Sequence, residues 1–254
     1  MAASFRFKRF SVRNDLAALK VGTDAVLLGA AMTLKPGRLL DIGTGTGVIA
    51  LMAAQRLASA SKEPGGTLWG ETPHQEPSAT AKPWRISAID IDSESIAETK
   101  LNFMDSPWAE HFVAEHCALR DYRPAVHFDH IFSNPPFYDN SLTNPDAREA
   151  AARHTQSLSY RDICAFASEY LEPDGHISLI LPADQETAIM RTAASFGFYP
   201  FRIIRISTTP RKPVKRLVVE LQRTKAKTSE ESLVLQDGAA RSAQYTELTK
   251  EFYL

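Results

Sequence analysis

The stretch that decides the fold is Arg38-Leu39-Leu40-Asp41-Ile42-Gly43-Thr44-Gly45-Thr46-Gly47. Its first half, 38–42, is a short and mostly apolar run of the length of a buried strand. From position 48 to position 57, apolar residues recur at the spacing of a helix face. Strand, glycine-rich turn and helix form the opening unit of a doubly wound sheet. The stretch therefore predicts an α/β fold with a ligand-binding turn at 43–47.

The spacing of Gly43, Gly45 and Gly47 indicates which ligand the turn binds. A dinucleotide turn follows G-x-G-x-x-G and would need glycine at position 48, where this chain has Val48. Asp41 precedes the turn, near where a cationic amino group of a ligand would sit. We also expect free N–H groups at the N-terminus of the next helix to face a negative ligand group. The spacing disfavours a dehydrogenase.

Composition excludes several classes of protein. The chain has 254 residues and a formal net charge of −1, and no apolar run is long enough to cross a bilayer. Cys117 and Cys164 are too few for a disulfide framework and lack the spacing of metal ligands. We therefore expect a cytoplasmic protein with no metal and no membrane partner, acting as a monomer. Cys164 is expected in the core.

Patterns along the chain predict one domain over 1–254. The segment 58–84 is rich in Ser, Pro, Gly, Glu and Thr, and we interpret it as a mobile surface insertion. The runs 199–207 and 215–222 are joined by a short loop, which indicates an antiparallel hairpin at the sheet edge. The other predicted strands are 5–12, 85–90, 112–116, 128–132 and 176–181, and the other predicted helices are 25–32, 93–104, 159–171, 184–196 and 243–253.

Several local signals refine these elements. Thr23 or Asp24 is expected to cap the helix at 25–32, and Asp92 the helix at 93–104. Ser159 and Asp162 form the S-x-x-D pattern of a capping box. Pro-Asp-Gly at 173–175 predicts a turn before the strand at 176–181.

A carboxylate follows the second strand of the predicted sheet. Asp90 ends the run 85–90, where a carboxylate can accept hydrogen bonds from both ribose hydroxyls of a nucleoside. We place Asp90 and the adjacent Ile91 in the cofactor site.

A second motif, Asn134-Pro135-Pro136-Phe137, stands at the carboxyl end of the central strand 128–132. The two prolines lack N–H groups, so their carbonyls and the Asn134 side-chain oxygen remain as acceptors. Fixed acceptors can orient a planar amine and stabilise positive charge that develops on its nitrogen. The ring of Phe137 offers a face on which a flat base can stack. The motif predicts methyl transfer to an exocyclic amine, with these four residues as the catalytic group.

The motifs at 41–47 and 134–137 together resemble those of the class I amino-methyltransferases, which use S-adenosylmethionine (AdoMet). Enzymes that modify RNA adenine amines, RNA guanine amines or a release-factor glutamine share this pair. The opening Phe7-Lys8-x-Phe10 with Lys20-Val21-Gly22-Thr23-Asp24, and the closing stretch 245–254, are similar to one bacterial family in particular. That family is the tRNA(Val) adenine-N(6) methyltransferases, which act on the adenine just 3′ of the anticodon, adenine 37. The resemblance covers nearly the whole chain except 58–84.

This resemblance implies a Rossmann-like, mostly parallel seven-stranded sheet with helices on both faces and an antiparallel edge hairpin. It implies AdoMet as cofactor and tRNA as substrate. The family often has an acidic residue for the cofactor adenine where this chain has Cys117, whose backbone N–H or carbonyl is the expected substitute. The full set of expected cofactor contacts is Lys20, Gly22, Thr23, Asp41, Gly43, Gly45, Gly47, Asp90, Ile91, Cys117 and Asn134.

Basic residues indicate where RNA would bind. Positions 202–227 contain nine Lys or Arg and a single acid, Glu220. We predict that the run 202–227 and the polar stretch 138–158 contact the substrate RNA. The alternative is that these basic residues only keep an exposed edge of the sheet solvated. Two other functions stay open, a guanine-N(2) rRNA methyltransferase and a non-catalytic RNA-binding protein on the same fold. The predicted RNA contacts are Arg148, Arg153, Arg211, Lys212 and Lys215.

Overall fold

The computed structural model describes residues 4–17, 20–60, 83–136 and 158–254. Within these ranges lie twelve strands, six α-helices and three 3-10 turns, at Ala109–His111, Leu119–Asp121 and Ala183–Gln185. The strands are β1 (Ser4–Arg6), β2 (Ser11–Arg13), β3 (Arg38–Ile42), β4 (Arg85–Asp90), β5 (Phe112–His116), β6 (Phe128–Ser133), β7 (Leu171–Pro182), β8 (Tyr199–Ser207), β9 (Val214–Gln222), β10 (Ser229–Val234), β11 (Gln236–Asp237) and β12 (Ala240–Arg241). The helices are α1 (Thr23–Ala31), α2 (Val48–Ala60), α3 (Ser93–Met104), α4 (Tyr160–Tyr170), α5 (Glu186–Ser195) and α6 (Ala243–Thr249).

The central sheet has eight strands in the order β10-β8-β9-β7-β6-β3-β4-β5. Strands β3 to β7 run parallel, and β9 is antiparallel to both β7 and β8. The predicted α/β class and the β8–β9 hairpin are confirmed. The hairpin is not at the sheet edge, however, because β10 pairs in parallel with β8 and makes the eighth strand. Its sequence has only two apolar positions, Leu233 and Val234, which explains why the pattern did not reveal it.

The chain start differs from the single predicted strand at 5–12. It forms an antiparallel hairpin of β1 and β2, with Phe5 opposite Val12. The rings of Phe7 and Phe10 stack at 4.6 Å, and both side chains are buried. Because the turn brings these aromatic residues together, the hairpin packs as a small extension of the core.

Several element ends agree with the sequence signals and others do not. The side chain of Asp92 caps α3, and Ser159 with Asp162 forms the expected capping box of α4. The cap of α1 is Gly22 with no side-chain bond, so the prediction that Thr23 or Asp24 caps it is wrong. The Asp24 carboxylate instead accepts from Arg216 at 2.8 Å.

Three further boundaries were misplaced. The predicted turn at 173–175 lies within β7, which begins at Leu171. The last helix, predicted to extend to position 253, ends at Thr249. Helix α2 continues through positions 58–60, within the predicted insertion. Trp84, the last residue of the predicted insertion, is buried, and its ring stacks on the His111 ring at 3.8 Å. The rest of the predicted insertion, 61–82, lies outside the described residues.

The parallel ladder determines which residues meet at one side of the sheet. Ile42 pairs with both Ile89 and Ser133, so β3, β4 and β6 end side by side. We call this side, with the residues that follow these strands, the carboxyl edge. Within the described ranges, no helix combines the length and apolar character needed to cross a membrane.

Candidate active site

The glycine turn between β3 and α2 lies at the carboxyl edge. Gly43, Gly45 and Gly47 have φ angles of 70°, 57° and 79°, a region that residues with a Cβ rarely adopt. All three glycines are therefore required by the backbone itself. Strand β3 behind the turn is buried from its second residue onward, so the turn is held at a fixed place.

The amides of this turn are already used within the protein. The N–H groups of Gly43 and Thr44 both donate to the Ile89 carbonyl, at 2.9 and 3.1 Å. Gly45 N–H donates to Asp90 Oδ2 at 2.9 Å, and Gly47 N–H to the Thr44 carbonyl. These four amides are therefore engaged within the protein, whereas the expectation of free N–H groups concerns the start of α2 at Val48 and stays a prediction. A pyrophosphate would not find the four amides available, which argues further against a dinucleotide.

Gly47 has an explanation that needs no ligand. A Cβ at this position would lie 2.7 Å from Cε1 of Phe103 and 3.1 Å from Cγ2 of Thr99. The residue does not line the cavity described below. Gly47 therefore allows α3 to pack against the turn, and its assignment as a cofactor contact stays a prediction.

Asp41 is a fully buried acid at the end of β3. Its Oδ2 accepts a hydrogen bond of 2.7 Å from Thr44 Oγ1, whereas Oδ1 has no partner among the described residues. Burial raises the pKa of Asp41 to about 7, and the charge of Asp90 acts in the same direction. Thr44 and the Ala50 amide lower this pKa but do not outweigh burial. A nearby ligand cation would favour its ionised form.

Asp90 organises the turn from the end of β4. Its Oδ1 accepts from Asp92 N–H at 3.0 Å, while Oδ2 accepts from Gly45 N–H. Burial is the main cause that raises the pKa of Asp90, and these hydrogen bonds oppose it. Each carboxylate oxygen keeps further acceptor capacity, as an oxygen that binds ribose hydroxyls needs.

A cavity of about 260 Å³ opens at the carboxyl edge. Predicted site residues that line it are Gly43, Asp90, Ile91, Cys117, Asn134 and Pro136. Sequence reasoning missed several others as site residues, which come from the turn after β5 and from the start of α4, where Asp162 was assigned only to a capping box. These missed residues are Ala118, Leu119, Arg120, Leu158 and Asp162.

Asn134 follows β6 directly and lines this cavity. Ser133 before it donates from Oγ to the Ile42 carbonyl at 2.7 Å and thereby ties β6 to β3. Asn134 Oδ1 is shielded from solvent and has no hydrogen-bond partner among the described residues. Because buried polar atoms nearly always have a hydrogen-bond partner, this oxygen is a candidate acceptor for a ligand in the cavity. Pro135 is buried and does not line the cavity.

Other predicted cofactor residues lie outside the cavity lining. These are Lys20, Gly22, Thr23, Asp41 and Gly45, besides Gly47. The Lys20 ammonium donates to the Asp15 carbonyl at 2.8 Å, so the structure gives this side chain a partner within the protein.

Cys117 lines the cavity, but its main chain is partly used. Its N–H donates to the Asp90 carbonyl at 3.0 Å, so the N–H is not available to a cofactor adenine. The thiol contacts the Ala118 carbonyl at 3.4 Å. Burial raises the pKa of the thiol, and nearby Glu115 adds to this effect.

The predicted RNA contacts divide into two groups. Arg211, Lys212 and Lys215 are exposed, and no side chain of the described residues pairs with theirs. The pairing of Pro182 with Arg216 brings the start of β9, and the loop before it, to the carboxyl edge. Arg148 and Arg153 lie outside the described residues, as does Phe137.

Most other arginines of the predicted basic surface have partners. Arg202 pairs with Glu220 at 3.1 Å and with Glu231 at 2.7 Å. Arg205 pairs with Glu186 and Glu230, at 2.9 and 3.0 Å. Nine positive residues therefore overstate the charge that this part of the chain offers to RNA.

Among the residues that the structure describes, no cluster of His, Cys, Asp and Glu could hold a metal ion.

No family model matches the chain. Solved structures similar to it include a predicted O-methyltransferase from Agrobacterium tumefaciens, with a TM-score of 0.63 and 16% identity over 90% of this chain and 96% of that one. A methyltransferase from Pyrococcus furiosus has a TM-score of 0.53 and 16% identity, over 84% and 90% of the two chains. These likenesses show the methyltransferase fold.

Curated relatives are much more similar in sequence. The "tRNA1(Val) (adenine(37)-N6)-methyltransferase" of Parabacteroides distasonis is 37% identical over 98% of this chain and 97% of its own length. That of Photobacterium profundum is 34% identical over 100% and 99%. That of Bacteroides fragilis strain YCH46 is 34% identical over 98% and 97%. At such identity over nearly full length, the chain belongs to the tRNA1(Val) (adenine(37)-N6)-methyltransferase family.

Proposed function

We propose that this chain transfers a methyl group from AdoMet to the exocyclic amine of adenine 37 in tRNA1(Val). Relatives of nearly equal length are named for this reaction, and the residues at the carboxyl edge suit an amine substrate. In this reaction the amine nitrogen forms a bond to the methyl carbon while the carbon–sulfur bond breaks. The products are S-adenosylhomocysteine, the methylated amine and a proton released from nitrogen.

The observation that carries the proposal is the unpaired acceptor of Asn134. Asn134 Oδ1 is out of solvent contact, has no hydrogen-bond partner among the described residues and belongs to a cavity wall. An N–H of an adenine amine would satisfy it and would be oriented by it. Positive charge that develops on the nitrogen would be stabilised by the same oxygen. Since nitrogen can lose its proton after methyl transfer, the site needs no strong general base.

The cofactor fits the acids of the site. AdoMet would supply an electrophilic methyl group on a sulfonium cation. The carboxylate of Asp90 keeps acceptor capacity that suits the ribose hydroxyls. Asp41 Oδ1, which has no partner among the described residues, suits a nearby cation. Ile91, whose side chain is 49% exposed at the cavity, offers an apolar face to a flat base. We assign the adenosine part of AdoMet to this end of the cavity.

The substrate base must leave its stack to reach such a site. A stacked adenine cannot present its amine at the wall of a cavity, so we propose that the base is extruded. Phe137 is then the proposed stacking face, and the Pro135 carbonyl a second acceptor for the amine. The exposed cations of the loop before β9 lie along the same edge and suit the RNA backbone. Arg148 and Arg153 remain part of this proposal.

The deciding experiment is a methyl-transfer assay with labelled AdoMet and tRNA that lacks modifications, followed by nucleoside analysis. We expect N(6)-methyladenosine in tRNA1(Val). N(2)-Methylguanosine would move the chain to the guanine-amine subgroup, and AdoMet binding without any product would favour a non-catalytic RNA-binding protein. We further propose that the enzyme acts in the cytoplasm, where its tRNA substrate is, and as a monomer. Sedimentation of the wild-type protein with and without tRNA tests the monomer.

A further inference from the structure

A second cavity, of about 440 Å³, lies at the far end of α2 from the glycine turn. The last residues of α2 and the loop between α1 and β3 form much of its wall. Helix α2 has 13 residues and therefore spans about 20 Å, with the cavity that Asn134 lines near its other end. We call this second space the α2-end cavity, and its polar lining residues are Arg9, Gln55, Arg56, Ser59 and Glu251.

Arg56 brings a positive charge into this cavity without an acid to pair with it. Its Nη1 donates to the Gly29 carbonyl at 2.9 Å, and no carboxylate among the described residues forms an ion pair with it. Burial lowers the pKa of Arg56 to about 10, although the charge of Glu220 acts in the opposite direction. A partly buried cation without a counter-ion is costly, so an anion in the cavity would be favoured.

Glu220 cannot serve as that counter-ion because its carboxylate is fully used. Its Oε1 accepts from Thr33 N–H and from Ser178 Oγ, each at 2.7 Å. Its Oε2 accepts from Thr33 Oγ1 at 2.7 Å and from Arg202 Nη1 at 3.1 Å. Two bonds to each oxygen use its acceptor capacity. The charge of Arg56 is therefore left for a group outside the described residues.

Gln55 adds an unused acceptor to the wall of the same cavity. The residue is 2% exposed, and its Nε2 donates to the Glu251 carbonyl at 2.7 Å. Because a carbonyl only accepts, this bond fixes which end of the amide is nitrogen. The other end, Oε1, is shielded from solvent and has no hydrogen-bond partner in the part of the chain that the structure describes. Buried polar atoms nearly always have a partner, so this oxygen suits a donor on a ligand.

A ribonucleotide carries both groups that complement this wall. Its phosphate is the anion that a guanidinium binds well, and its ribose hydroxyl is a hydrogen-bond donor. Arg9 supplies a second guanidinium, whose Nη1 donates to Ser59 Oγ at 2.9 Å. Two features oppose an anion, namely the carbonyl end of α2 and the carboxylate of Glu251. The two arginines must therefore carry the binding.

The adjoining surface favours an RNA backbone over a free nucleotide. Arg9 also lines a neighbouring groove of about 520 Å³, together with Arg6, Lys8 and Arg13, which are all exposed. Arg13 pairs with Asp105 at 2.8 Å. The side chains of Arg6 and Lys8 form no ion pair with any described residue. A series of cations that continues away from the cavity suits a chain of phosphates.

We propose that the α2-end cavity binds a ribonucleotide phosphate, and that this phosphate belongs to the backbone of the tRNA substrate. The choice of tRNA as its source rests on the proposed function, whereas the binding chemistry does not. A tRNA is longer than α2, so one molecule can contact this cavity while its adenine lies at the carboxyl edge. Such a contact positions the RNA and takes no part in methyl transfer. Its loss should therefore appear in tRNA affinity.

The test measures the dissociation constant of unmodified tRNA1(Val), and its salt dependence, for three variants. Arg56→Gln should weaken tRNA about tenfold and reduce the log–log salt slope by roughly one unit, with AdoMet affinity within about twofold of wild type. Arg191→Gln is the matched control, an exposed arginine on α5 with the same change of charge, and should alter neither quantity. Glu251→Gln removes the opposing carboxylate and should tighten tRNA about twofold. A purely structural role of Arg56 would not make tRNA binding respond to Glu251.

A titration with cytidine 5′-monophosphate, followed by NMR on protein saturated with S-adenosylhomocysteine, separates the two sources of phosphate. Binding that Arg56→Gln abolishes, with tRNA affinity unchanged, would overturn tRNA as the source and support a free nucleotide. If neither tRNA nor the nucleotide responds to Arg56→Gln, the inference is refuted. Should Arg56→Gln not fold, Arg9→Gln at an exposed position must weaken tRNA and Glu251→Gln must tighten it. Wild-type tRNA binding without methyl transfer would refute the proposed function alone and leave the cavity's role standing.

Discussion

Replacing Asp41 by Asn should change how the stability of the protein depends on pH. Asp41 is 0% exposed, and burial raises its pKa from 3.8 to about 7. Asn keeps an oxygen for the Thr44 hydroxyl but carries no charge at any pH. The variant therefore removes the titration while it conserves most of the shape of the site.

The sign and size follow from the linkage between protonation and folding. Because the folded pKa lies above the unfolded one, the acid contributes stability below about pH 4 and loses it as pH rises through about 7. A gap of roughly three pKa units corresponds to about 4 kcal/mol in total. Between about pH 5.5 and pH 8.5 the wild type should lose about 2 kcal/mol relative to Asp41→Asn.

Urea unfolding of both proteins across this pH range measures the effect. The difference between the two free energies of unfolding is the informative quantity, because buried His130 and other shared groups cancel from it. We expect the free energy of unfolding of Asp41→Asn to rise relative to that of the wild type up to about pH 7, and the difference to level off above it. A difference that stays constant with pH would refute the reasoning, since Asp41 would then be charged throughout.

Three further changes test the proposed site. Asn134→Ala should lower turnover by on the order of 10²–10³ with AdoMet affinity nearly unchanged, measured by single-turnover methyl transfer; full activity would remove Asn134 from the mechanism. Asp90→Ala should weaken AdoMet in calorimetry by ~1.5–3 kcal/mol for each hydroxyl bond lost, and an unchanged affinity would contradict the ribose contact. Charge reversal at Arg211, Lys212 and Lys215 should weaken tRNA and reduce its log–log salt slope by roughly one unit per phosphate contact, with AdoMet binding as control. A wild-type slope would leave these cations as a solvated sheet edge.

Local chemistry explains why much of the fold was predictable. Asp92 caps α3 because a short acid before a helix can accept from its free amides, and no distant residue is needed. Strand β10 could not be found in this way, because its six residues are mostly polar and exposed. It exists because β8 offers an unpaired side to Ser229–Val234, which is a long-range fact.

The glycine turn shows a different limit of sequence reasoning. The motif shows that the backbone needs glycine at these positions but not what lies beside each of them. Gly43 lines the cavity, whereas the Cβ position of Gly47 faces the ring of Phe103. A glycine beside a ligand cavity and a glycine under a packed helix look the same in the sequence, so the coordinates are needed to distinguish them.

A count of Lys and Arg residues also cannot show which of them the protein itself engages. The basic run 202–227 suggested a broad RNA surface, but arginines within β8 and just after β9 are engaged by the protein itself. Arg205 and Arg202 each pair with two glutamates, and Arg223 donates to main-chain carbonyls. Arg211, Lys212 and Lys215 are exposed and lack side-chain partners among the described residues, and they lie in the loop before β9 or at its start, at the carboxyl edge. Lys227 is also exposed but follows β9. Phosphate contacts near the extruded base would position tRNA without specifying it, so recognition of the adenine itself must come from the cavity that Asn134 lines.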